Sequence, residues 1–117
     1  MFKKPEDMQV LVKSNVRGGS GSPSFRYLFS EEELGGRMEM MAVITLQPGE
    51  SIGIHPHETN GEAYYILRGQ PIVTEDGAER RLGPGDAEFC ADGRTHSILN
   101  ASEEPVEFLA VIAPNRR

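Results

Sequence analysis

The constraint that bears most on this chain is the rhythm of its apolar residues. They recur at every second position in short runs, and a turn-forming cluster closes each run. RMEMMAVITL (37–46) sets Met38, Met40, Ala42, Ile44 and Leu46 on one face, and Pro48-Gly49 ends it. EAYYILRG (62–69) is a second strong run, and QPIVTEDGAERRL (70–82) holds two short ones around an Asp76-Gly77 hairpin turn. AEFCA (87–91), THSILN (95–100) and VEFLAVIA (106–113) follow, with Gly83-Pro84-Gly85-Asp86 and the Ser102–Pro105 loop as breaks. Upstream, MQVLVKSNV (8–16) and FRYLFS (25–30) alternate more weakly, and RGGSGSPS (17–24) reads as a flexible loop between them. The longest helical signal is one turn at SEEELGG (30–36), with Ser30 as its cap and Gly35-Gly36 as its stop. Short strands at this spacing predict an all-β sandwich or barrel. At 117 residues it closes a single core.

Composition then removes several functions. A net charge of −6 and the lack of any Lys/Arg cluster speak against nucleic acid, and the ending Asn115-Arg116-Arg117 is too short for a basic patch. No apolar run approaches a membrane span. The N-terminus MFKKPEDMQV has no apolar signal core, and one cysteine, Cys90, cannot form an internal disulfide. The expectation is a cytoplasmic protein with Cys90 as a small buried hydrophobe.

The chemistry concentrates in GESIGIHPHETNGEAYYILRG (49–69), which holds two of the three histidines. His55 and His57 stand at i and i+2, so on a strand both project from one face. Buried imidazoles are costly filling, because each ring brings a donor and an acceptor that need partners. A divalent cation takes a nitrogen from each. Glu62 follows the polar turn ETNG (58–61) and can bring a carboxylate to the same ion, and His96 stands near the start of a later strand. Three imidazoles and a carboxylate suit one divalent transition metal: Fe, Mn, Ni, Co, Cu or Zn. In an octahedral shell they leave two positions open for water or a ligand.

These residues resemble the two motifs of the cupin superfamily. The first reads Gly49, five residues, His55-Pro56-His57, four residues, Glu62, six residues, Gly69. The second reads Gly85, five residues, Ala91-Asp92-Gly93, two residues, His96, three residues, Asn100, with Ala91 in place of the usual proline. The 15 residues from Gln70 to Pro84 between them resemble the short interval of small microbial cupins. The resemblance implies a single-domain jelly-roll β-barrel, a double-stranded β-helix, with His55, His57, Glu62 and His96 as metal ligands. It makes residues 37–117 the barrel, with motifs at 49–69 and 85–100. Residues 1–36 become an arm of strand and loop that pairs with a partner or packs on the barrel. It also implies a homodimer.

Around the ligands, counting in twos points Tyr64, Ile66 and Ile98 inward, and the methionines of 37–46 predict a soft apolar wall. Tyr64 is a catalytic candidate only as a hydrogen-bond donor or reluctant base. Asn100 fits a turn or a supporting hydrogen bond better than the metal, and Gly49, Gly69, Gly85 and Gly93 fit backbone positions with special dihedrals. Arg26, Arg37 and Arg68 could serve an anion but read better as surface residues. Cupins that degrade oxalate tend to carry an arginine three residues before the first motif histidine, where this chain has Ile52. The functions left open are a metal-dependent enzyme (dioxygenase, isomerase or lyase), a non-catalytic module that holds a small carboxylate or sugar-like ligand, and a barrel with a purely structural metal.

Overall fold

A computed structural model describes residues 1–115; Arg116 and Arg117 lie outside the described residues. Ten strands form: β1 (Gln9–Val12), β2 (Ser24–Tyr27), β3 (Met40–Leu46), β4 (Ser51–Pro56), β5 (Asn60–Arg68), β6 (Ile72–Glu75), β7 (Ala78–Arg81), β8 (Ala87–Cys90), β9 (Thr95–Leu99) and β10 (Val106–Pro114). They pair antiparallel in two sheets, β1-β2-β3-β10-β5-β8 and β4-β9-β6-β7. This is the expected all-β jelly roll, and no α-helix occurs among the described residues.

The runs read as strands are present with shifted ends: most are trimmed, while β5 starts two residues earlier at Asn60 and β10 runs one further to Pro114. The first stops at Val12 because Asn15 and Arg17 turn into the left-handed region, at φ 52° and 54°. The Asp76-Gly77 turn joins β6 to β7 with positive φ at both residues, the conformation a two-residue hairpin turn requires. At 30–36, Ser30 Oγ accepts from the Glu33 amide, and the Glu33 carboxylate accepts from the Ser30 amide. This capping box holds the single turn.

One strand, β4, is not among the runs picked out by alternation. Gly53 and Pro56 dilute its pattern, and its alternation is broken by a bulge. Ile52 is buried and Ile54 is 64% exposed, yet His55 is only 5% exposed. Pairing to β9 shifts register between Ile52 and His55. The extra residue reverses which face looks inward. Without it, a strand burying Ile52 would bury Ile54 and Pro56 and turn both histidines to solvent.

The segment 17–24 is also tied down where composition predicts a flexible loop. Ser20 bonds Ser51 through both backbone and hydroxyl, its Oγ donates to the Gly49 carbonyl, and the Ser22 amide donates to Glu50. Polar Gly/Ser composition matched a loop, but those same hydroxyls and amides fasten it to β4.

The core fills the barrel with Phe25, Ala42, Ile44, Leu46, Ile52, Tyr64, Ile66, Val73, Ile98, Val106, Phe108 and Ala110. Segment 1–36 thus supplies Phe25 to the core and β1 and β2 to the larger sheet. The apolar interior stops short of one end, where three histidines and a glutamate take its place.

Candidate metal centre

Both sheets contribute to the cluster. His55 comes from β4, His57 stands just past its end, His96 comes from β9 and Glu62 from β5. Each is 5% exposed or less. The three Nε2 atoms surround one carboxylate oxygen: Glu62 Oε1 lies 3.5 Å from His55, 2.9 Å from His57 and 3.0 Å from His96. His57 and His96 hold their Nε2 atoms 3.2 Å apart. One ligand atom from each residue lies within 4.8 Å of all the others, a group that could hold a metal ion.

The outer ring nitrogens decide what faces inward. His55 Nδ1 lies 2.7 Å from the Gly53 carbonyl, which can only accept. His57 Nδ1 lies 2.8 Å from Asn60 Oδ1, while Asn60 Nδ2 donates to Glu39 and so fixes the amide. His96 Nδ1 lies 3.0 Å from the Glu88 carboxylate. Each Nδ1 therefore faces an outer acceptor, which leaves each Nε2 directed at the Glu62 oxygen. With a cation among them, the three Nε2 atoms and the carboxylate oxygen would all act as electron-pair donors. This arrangement fits a cation, and outer acceptors on ligand histidines are how metal sites fix ring tautomers.

In the metal-free protein, protons must serve instead, and the acid–base equilibria carry that signature. Burial works to raise the Glu62 carboxyl, but hydrogen bonds from His55, His57 and His96 outweigh it and hold it far below the usual range. The bond to Glu62 raises His57. Burial works to lower His96, but Glu62 and Glu88 outweigh it and bring it up to about 9.

Tyr64 is buried and stacks on the His96 ring at 4.6 Å, with Phe108 packed edge-on beneath it. Burial, then the Glu62 and Glu88 carboxylates, push its phenol well above the ordinary value. It remains a neutral phenol at physiological pH, a packing group for His96 and not a base. Asn100 lies in a turn, donating to the Leu46 and Glu104 carbonyls and accepting from Ser102. Gly49, Gly69, Gly85 and Gly93 all take positive φ. Ile66 and Ile98 point inward as counted, and Met40 lines the cavity beside the ligands. Cys90 is fully buried, its thiol pushed up to about 12 by burial and then by neighbouring carboxylates.

Three supporting residues escape the sequence reading: Asn60, Glu88 and Gly53. Glu88 was findable, since it shares a face with buried Cys90 two positions on. The cavity over the cluster holds about 210 Å³ and includes Lys13, Arg17, Met40, Ile112, His55, His57, Glu62 and Tyr64. Arg26, Arg37 and Arg68 do not line it; Arg68 instead pairs with Glu107 at the surface.

Comparison with known proteins places this geometry among relatives. The family model for the cupin domain matches residues 42–112, more than half of the chain. An oxalate-binding protein of Thermotoga maritima is 39% identical over 99 residues, covering 85% of this chain and 82% of that protein. The tetracenomycin polyketide synthase protein TcmJ of Streptomyces glaucescens is 30% identical over 107 residues, covering 92% and 69% respectively. The crystal structure of a "predicted oxalate decarboxylase" from Thermotoga maritima superposes with a TM-score of 0.94 at 35% identity, covering 98% of this chain and 100% of that one.

Proposed function

The chain belongs to the cupin family, and on that premise we propose that it binds one divalent transition metal and, through it, a small oxygenated carboxylate. His55, His57, Glu62 and His96 are the ligands. The observation that carries this reading is the convergence of three Nε2 atoms on the Glu62 oxygen, with every Nδ1 facing an acceptor on the outside. A bound ion supplies Lewis acidity and a site for a ligand oxygen. The oxalate-binding relative supports a short carboxylate as that ligand.

The chain's own residues do the rest. Gly53, Asn60 and Glu88 orient the rings, Tyr64 fixes the plane of His96, and Met40 and Ile112 wall the cavity with apolar surface. Apart from the ligands, no residue lining the cavity is a carboxylate, histidine or cysteine among the described residues. That lining favours a module that holds its ligand over an enzyme that relays protons, with metal-dependent dioxygenation, isomerisation or lyase chemistry as the alternative. Elemental analysis of protein purified without added metal tests the first step, with close to one ion per chain expected. Product analysis of oxalate incubated aerobically and anaerobically tests the second: unchanged oxalate is expected, and turnover would replace the module with an enzyme.

The homodimer belongs to the same reading. Val10, Arg26, Val43, Leu109 and Tyr65 stand opposite one another across β1, β2, β3, β10 and β5, on the outer face of the larger sheet. Phe89 is exposed on β8 beside them. An apolar face of this kind supports coverage by a second copy. Sedimentation at micromolar concentration should give twice the chain mass of 12.9 kDa; a monomer contradicts it.

A further inference from the structure

The barrel wall offers a ligand no cation, because the position from which an arginine would be expected is Ile52, buried in the core. The cavity nevertheless has two, Lys13 and Arg17, both from the segment before the barrel. Among the described residues they are the only Lys or Arg lining it, and they also line the wider vestibule of about 540 Å³ that continues outward past His57. Neither makes an ion pair among the described residues. In a protein with eighteen acidic residues and a net charge of −6, two exposed cations without ion-pair partners at the mouth of a cavity that ends on three histidines offer an anion a place to land.

Both are held in place. The Lys13 ammonium lies 4.7 Å from the Phe25 ring centroid and 5.4 Å from that of Tyr27, so the aromatic faces seat it over the cavity. Arg17 sits on a tight loop in which Gly18 and Gly19 donate back to Asn15 and Val16. Gly53 lies directly beneath, and a Cβ there would strike the Arg17 carbonyl; a Cβ on Gly19 would strike the Ser51 carbonyl. The two glycines let the loop backbone lie on β4. The bulge that turns His55 inward is thus the platform that sets Arg17 above it.

We propose that Lys13 and Arg17 bind the second carboxylate of a short dianion whose first carboxylate meets the metal. This rests on the metal-site reading above. Guanidinium and ammonium on one carboxylate, with a cation on the other, select dicarboxylates over monocarboxylates. The cavity of about 210 Å³ falls below the ~300–1,000 Å³ of pockets for drug-sized ligands, so the dianion has only a few carbons. Glu31, Glu39 and Glu58 line the vestibule but not the inner cavity, which disfavours anions long enough to reach them.

Calorimetric titration of the metal-loaded protein with oxalate, malonate and acetate tests this. Arg17→Gln and Lys13→Gln should each weaken the better-bound dicarboxylate roughly tenfold or more, the factor carried by one charge-assisted contact. Acetate affinity and metal content should stay at the wild-type level. Variants that bind the dicarboxylates as tightly as wild type, or lose acetate in equal measure, overturn the assignment. Wild type that carries metal but binds neither dicarboxylate overturns it too, and leaves the metal site standing. Wild type that takes up no metal overturns the site beneath it.

Discussion

Inside the barrel, five of the six ring nitrogens of the candidate metal centre meet a hydrogen-bonding group fixed by strand pairing or a short turn, and the sixth, His55 Nε2, lies 3.5 Å from Glu62. At the mouth, two cations stand on a segment outside the regular barrel and pair with no carboxylate among the described residues. The interior is a satisfied network that a cation can enter by displacing protons. The mouth keeps its donors unspent. The difference assigns the two regions separate tasks, one holding an ion and the other choosing what joins it. Changes to one should leave the other measurable.

The largest effect should come from the interior. His57→Ala removes a ligand, so metal affinity should fall beyond the roughly 10–100-fold that loss of an outer partner costs. His57 lies outside the apolar core, so the fold should survive, with a loss of about 1–3 kcal/mol as Asn60 and Glu62 lose a partner. Elemental analysis with circular dichroism checks both halves. A folded variant with undiminished metal would remove His57 from the site. His96→Ala should be costlier to the fold, because it also strips Tyr64 of its stacking partner and Glu88 of its donor.

Next is pH, where metal-free and metal-loaded protein should move in opposite directions. Glu62 is depressed in the folded state, so its contribution is present above the unfolded value of 4.5 and fades as pH falls through its low folded value. His57 and His96 are raised, so theirs is complete below 6.5 and lost as pH climbs, for His96 through about 9. Metal-free protein should therefore be most stable between about pH 4.5 and 6.5 and lose about 3 kcal/mol from His96 by pH 10. Metal needs the unprotonated Nε2, so its affinity rises over that same interval. The gap in Tm between metal-loaded and chelator-treated protein should widen from pH 6 to pH 9. A constant gap would mean that the ion does not compete with these protons.

The interior was also the part the sequence discloses. Period-2 alternation marks most strands, and HxH spacing with Glu62 and His96 marks the cluster, because those signals are local. The bulge in β4 was not readable, since it depends on pairing with β9 and leaves only Gly53 as a trace. Glu88 shares its face with Cys90, but its bond to His96 exists only once β8 and β9 are brought together from different sheets. Lys13 falls in a run that alternates weakly like a strand, Arg17 opens a stretch whose glycines and serines signal a loop, and nothing local says where either will dock. Contacts of long sequence separation built the mouth, so composition could not show it.

Gly53 joins the two regions, and Gly53→Ala should disturb both. Its new methyl has no room against the Arg17 carbonyl, so the loop lifts or β4 yields, at about 1–3 kcal/mol. If the loop lifts, trypsin should cut after Arg17 more readily while metal content holds. If β4 yields, the His55 acceptor moves and metal affinity falls as well. Unchanged Tm and unchanged proteolysis would mean the loop does not rest on Gly53.

The smallest effect separates strain from purpose. Arg17 holds φ 54° and ψ 33°, a left-handed conformation that costs a residue with a Cβ about 1–2 kcal/mol. Arg17→Gly removes that cost but adds about 0.5–1 kcal/mol of chain entropy to be lost on folding. The balance runs from nothing to about 1.5 kcal/mol of stabilisation, a Tm rise of no more than about 6 °C. Dicarboxylate affinity should fall at the same time. A variant made steadier and less able to bind would mean that the strained backbone is kept for where it sets the guanidinium. A lower Tm would instead give the Arg17 side chain a packing role, and the separation between a self-sufficient interior and an open mouth would weaken.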